Sequence, residues 1–116
     1  MLDSDVHVMR LSPYTGPSDP GHTVITITGT NFVKTANIMV KFTFPTTVMQ
    51  TLLTPGTFLS TSTIRVESPP ILSAVAATVE VGLNAQQFTN DHVLFYYYPG
   101  ISDIDYVLVS YSLQGL

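Results

Sequence analysis

Period two is the dominant rhythm of this sequence, and it leaves little room for any architecture but packed β-sheet. HTVITITG (His22 to Gly29) sets Ile25 and Ile27 on one face and Thr26 and Thr28 on the other. IMVKFTF puts Ile38, Val40, Phe42 and Phe44 together, with Lys41 and Thr43 opposite. TIRVES sends Ile64 and Val66 one way and Arg65 and Glu67 the other. VAATVEVGLN sets Val75, Ala77, Val79, Val81 and Leu83 inward and Thr78, Glu80 and Gly82 outward. Side chains alternate across a strand, so each run buries one face and wets the other. HVLFYYY (His92 to Tyr98) breaks the rule by being apolar on both faces, which predicts a strand covered on both sides or facing a partner.

Turn chemistry separates the runs. Pro13, Gly16, Pro17, Pro20 and Gly21 precede the first strong strand, Thr54-Pro55-Gly56 and Ser68-Pro69-Pro70 break the middle, and Asn90-Asp91-His92 sits at an expected hairpin. Short strands about 8–12 residues apart predict an all-β antiparallel sandwich of about seven strands. Its expected core holds Ile25, Ile27, Phe32, Val40, Phe42, Val66, Val79, Val81 and Phe95. A chain of 116 residues that is 45% hydrophobic supports one such core and no second domain of useful size.

Only 10% of the residues are charged, against roughly a quarter in an ordinary soluble domain. The surface is therefore covered by Thr, Ser, Asn and Gln, or by something else. The net charge is −4 and the four cations, Arg10, Lys34, Lys41 and Arg65, are scattered. Nucleic acid, which demands clustered cations to displace counterions, is not an expected partner, and neither is an anionic membrane. No run approaches the ~20 apolar residues of a membrane span, so no insertion is expected. Cysteine is absent, which removes disulfides, thiolate metal sites and a cysteine nucleophile. With no N-x-S/T sequon and no signal-like N-terminus, the expectation leans to an intracellular location and leaves an extracellular one open.

Candidate chemistry is sparse. His7, His22 and His92 match no metal-ligand spacing, although a His-Asp pairing is conceivable. Asp103 and Asp105 alternate along ISDIDY and read as a solvated face. The serines lack a nucleophile elbow, and no lysine follows the Gly16 to Gly21 loop. No catalytic residue, cofactor or metal is expected, and the chain reads as a non-enzyme.

GHTVITITGTNF (Gly21 to Phe32), preceded by Ser12-Pro13 and Gly16-Pro17, resembles the opening of IPT/TIG domains, the immunoglobulin-like fold of plexins, Met-type receptors and Rel-type transcription factors. FLSTSTIRVESPP (Phe58 to Pro70) is similar to a central strand of that family. Asn84, Gln87, Phe88 and Thr89, followed by an aromatic strand, are similar to its closing hairpin. The resemblance runs from Val8 to Pro99. It implies an immunoglobulin-like, E-set-like sandwich over residues 6–99, with residues 100–116 as a β-prone extension or the start of a neighbouring repeat. Two positions depart from the family: Val66 stands where Cys is frequent, and Ala85 where Gly is. The second departure predicts a less strained turn, since Ala tolerates positive φ poorly. Gly29 is expected where a side chain would crowd a strand end, Asn31 to satisfy turn amides, and Phe32 to plug one end of the sandwich.

The expected function is a non-catalytic structural or protein-interaction module, part of a larger protein or assembly. Its partner is another protein or a neighbouring domain, or a second copy joined through the C-terminal strand. The candidate interaction surface is Tyr96, Tyr98, Tyr106, Leu108, Tyr111 and Leu113. Two alternatives stand beside it: an accessory carbohydrate-binding domain presenting its tyrosines, and a Rel-like dimerisation domain, which the acidity disfavours.

Overall fold

The alternating runs pair into two sheets. The computed structural model describes residues 5–45 and 50–100, and all structural statements concern these. Nine strands follow in chain order: β1 His7–Ser12, β2 Thr15–Pro17, β3 Val24–Thr30, β4 Met39–Phe44, β5 Gln50–Pro55, β6 Thr57–Ser60, β7 Thr63–Glu67, β8 Ala76–Gly82 and β9 Val93–Tyr98. One sheet has the order β1-β3-β7-β6 and the other β2-β9-β8-β4-β5. This is the strand order of an immunoglobulin-like sandwich.

The count exceeds the expected seven because two edge segments, neither of them among the alternating runs, are each split between the sheets. The first runs as β1 in one sheet, turns at Pro13-Tyr14, and continues as β2 in the other, where it pairs with β9 in parallel. The sandwich is thus antiparallel except at this one edge. The second split falls at Thr54-Pro55-Gly56, read from sequence as a simple break. There the chain leaves the edge strand β5, crosses at Gly56, and enters the opposite sheet as β6. Neither β1 nor β5 alternates clearly in sequence, for different reasons. A register shift between Val8 and Arg10 lets both Val8 and Leu11 point inward despite their odd spacing. β5 is only half-covered at its edge.

All nine residues of the expected core are buried, none more than 3% exposed. Aromatic rings tie the two halves of the five-stranded sheet together. Phe95 meets Phe42 edge-on at 6.4 Å and Tyr97 edge-on at 5.0 Å, while Tyr97 lies 6.0 Å from Phe44. Tyr97 then donates its hydroxyl hydrogen to the Pro69 carbonyl at 2.7 Å, satisfying the polar end of a buried ring. Gly29 behaves as expected, since a Cβ there would collide with the His7 carbonyl and the Phe32 ring.

Four expectations need correction. Glu80 and Gly82 alternate with Val79 and Val81, yet both are buried, because the chain between β8 and β9 folds back over the outer face at that end. That connection runs from Leu83 to His92 and is no tight hairpin at Asn90-Asp91-His92. Ala85 adopts φ +60°, so its turn is not relieved of strain; Asn84 instead holds it by accepting the Gln86 and Gln87 amides at 3.0 and 2.9 Å. Finally, Asn31 is a donor to the Asp5 carbonyl (2.9 Å) and does not cap turn amides.

Candidate interaction face

Strand β9 places the site. Because Phe95 and Tyr97 enter the core, period two turns Leu94, Tyr96 and Tyr98 outward, where they are 36%, 48% and 46% exposed. The two-faced apolar run is therefore one core face and one bare face. Tyr14, in the turn between β1 and β2, packs edge-on against Tyr96 at 6.3 Å. Across the sheet, register sets Thr78 beside Leu94 and Thr43, and Lys41 beside Leu53 of β5, itself 52% exposed.

Short side chains in the middle of this face and longer ones at its sides leave an open groove of about 550 Å³. Its floor is Thr43, Ala76 and Thr78, with Leu94 and His92 on one side and Lys41 and Pro45 on the other. The lining is mainly apolar, with hydroxyls at the floor, in keeping with sites that take organic or peptide groups.

Glu80 closes one end and is 5% exposed. Its carboxylate accepts from the Thr89 hydroxyl (2.5 Å) and from the backbone amides of Asp91 (3.1 Å) and His92 (2.8 Å). Three donors stabilise a charge that burial would otherwise make costly. The carboxylate is thus committed to holding the β8–β9 connection in place. Lys41 lies over the Phe88 ring, 4.6 Å from its centroid.

His92 lines the groove, whereas His7 and His22 lie elsewhere. His7 pairs with Asp91 through Nδ1 at 2.9 Å, and the second Asp91 oxygen accepts the Val8 amide at 2.7 Å. This His-Asp pair ties the start of β1 to the opposite sheet, a fastening role. His22 Nδ1 stands 3.4 Å from Glu67 on an exposed edge. Among the described residues no three histidine or acidic groups converge as a metal ion would require, and no helix is long and apolar enough to cross a membrane.

Of the candidate surface residues, Tyr96 and Tyr98 share the outer face. Tyr106, Leu108, Tyr111 and Leu113 lie outside the described residues, as do Asp103 and Asp105. Sequence reasoning missed Tyr14 and Leu53 as members of this face. Tyr14 sits among turn residues and Leu53 in a strand without clear alternation, so neither carried a signal before the sheet brought them alongside β9 and β4.

A family model described as IPT/TIG domain matches residues 7–97. No curated protein matches the chain.

Proposed function

Because the chain belongs to the IPT/TIG domain family, whose members are immunoglobulin-like modules, we propose that it acts as a non-catalytic module that docks another protein on the outer face of its five-stranded sheet. The observation that carries this reading is the strip Leu94, Tyr96 and Tyr98, extended by Tyr14 and Leu53, beside a mainly apolar groove. Such a strip matches the composition of interface centres, where tyrosine is enriched and lysine and acidic residues are scarce. A chain with 10% charged residues has little else to keep this face solvated. Tyr106, Leu108, Tyr111 and Leu113 would extend the same contact surface, as a further β-prone segment available to a neighbouring domain or a second copy.

The test is a photo-crosslinking side chain at Tyr96 or Tyr98 in the full chain, with Thr26 on the other sheet as control. Protein adducts from the first two positions and none from Thr26 support the reading. Adducts confined to Thr26, or none from any position, overturn it. Recovery of glycan in place of protein would move the assignment to a carbohydrate-binding domain.

A further inference from the structure

Four strands stand at sheet edges, β1 and β6 in one sheet and β2 and β5 in the other. Three of them carry a feature that keeps foreign strands from adding on. β1 has Arg10 with a register shift beside it, β2 is three residues long and ends in Pro17, and β6 is four residues long with a shift between Phe58 and Ser60. β5 differs. Its six residues, Gln50–Pro55, hold an unbroken register on β4 and include no charged side chain.

The hydrogen-bond parity of β5 fixes which of its backbone groups face outward. The Gly56 amide donates to the Ile38 carbonyl at 3.1 Å, one step beyond the Met39-Pro55 pair. Bonded and non-bonded pairs alternate in an antiparallel ladder. Val40-Thr54, Phe42-Leu52 and Phe44-Gln50 are therefore the bonded pairs, and the amides and carbonyls of Thr51 and Leu53 point away from β4. Pro55 faces the same way and has no N–H to offer. Among the described residues no strand lies beyond β5. On the outer face of this edge Leu53 is 52% exposed.

We infer that β5 pairs with β5 of a second copy, antiparallel about a two-fold axis at Leu52, so that the two five-stranded sheets become one. In that register Thr51 of each copy meets Leu53 of the other, and the new ladder uses every outward amide and carbonyl of both residues. An axis at Leu53 would instead set Thr51 against Pro55, whose missing N–H forfeits a bond at each end. The occupant is a copy of the chain because the strand matches itself. Self-pairing brings no like charges together, and the two exposed Leu53 side chains become diagonal neighbours that cover each other. The contact shares Leu53 with the sheet-face strip but none of its tyrosines, and it goes beyond that reading without resting on it.

Sedimentation equilibrium of the full chain should show a reversible dimer. Leu53→Pro removes an outward N–H, which an edge strand tolerates, and weakens the dimer about tenfold or more because each copy loses a bond. Leu53→Glu, opposite Lys41 of its own chain, weakens it likewise by bringing two carboxylates together. Far-UV circular dichroism verifies that both variants keep their sheets. The chain has no cysteine, so a single introduced thiol can bridge only two copies. Leu52→Cys meets itself across the axis and closes a disulfide under mild oxidation, whereas Thr54→Cys lies about 13 Å from its counterpart and does not. A chain that stays monomeric to the limit of its solubility, a dimer untouched by both Leu53 variants, or Thr54→Cys crosslinking as fast as Leu52→Cys each overturns the inference. So does a dimer that Tyr96→Ser with Tyr98→Ser abolishes and Leu53→Pro spares, since self-association would then belong to the sheet face.

Discussion

At the scale of single residues, two side chains of opposite character hold the five-stranded sheet. Phe42 is fully buried and in ring contact with Phe95, so Phe42→Ala removes both transfer free energy and packing. The expected loss is about 3–5 kcal/mol by denaturant titration. Tyr14→Ala, at a position 63% exposed, should lose far less. Glu80 works through hydrogen bonds. In Glu80→Gln one carboxylate oxygen becomes an amide that cannot accept, leaving a donor at Thr89, Asp91 or His92 unpaired. A loss of about 1.5–3 kcal/mol is expected. A stability unchanged by this substitution would mean that Glu80 does not anchor the connection. Alternation alone assigned Glu80 to solvent, because no local pattern reveals that a stretch beginning nine residues later folds back to cover it.

Among the elements, the β8–β9 connection is the least relaxed. Ala85 at φ +60° carries a Cβ in the left-handed region, which costs an L-residue about 1–2 kcal/mol. Ala85→Gly should therefore raise stability by up to about 1 kcal/mol, the gain reduced by the extra freedom glycine has when unfolded. A fall in Tm would show that the Asn84 turn fixes the backbone without strain. Strand β9 contributes a pH dependence through Tyr97. Burial pushes its hydroxyl well above the ordinary value of 10.0, and the Ser68 hydroxyl offsets part of this. The folded state thus keeps a proton that the unfolded chain releases as pH rises past about 10. Stability from this group is intact below that point and lost progressively above it. Tyr97→Phe should flatten the alkaline limb of the stability curve while lowering stability at neutral pH, where the bond to Pro69 is lost.

For the whole molecule, the scarcity of charge and the bare strip on β9 belong together. A double variant, Tyr96→Ser with Tyr98→Ser, changes only outward positions. Its unfolding free energy should stay within about 1 kcal/mol of the parent, while protein crosslinking or self-association through this face is abolished. Loss of folding instead would place those rings in the core, contrary to their exposure.

Much of this was written in the order of residues. Period two needs only nearest neighbours along the chain, so the core faces of β3, β4, β7, β8 and β9 were legible, as was the family through its Ser-Pro, Gly-Pro and Gly-Thr-Asn-Phe landmarks. The bare face of β9 was legible as an anomaly, a strand apolar on both sides. What alternation could not express is which sheet a strand joins, because pairing is set by hydrogen bonds between residues far apart in the chain. The crossing at Gly56, the parallel seat of β2 beside β9, the burial of Glu80 and the meeting of Tyr14 with Tyr96 all depend on such contacts. Tertiary structure alone decided them, since each joins segments whose own sequences are silent about the other.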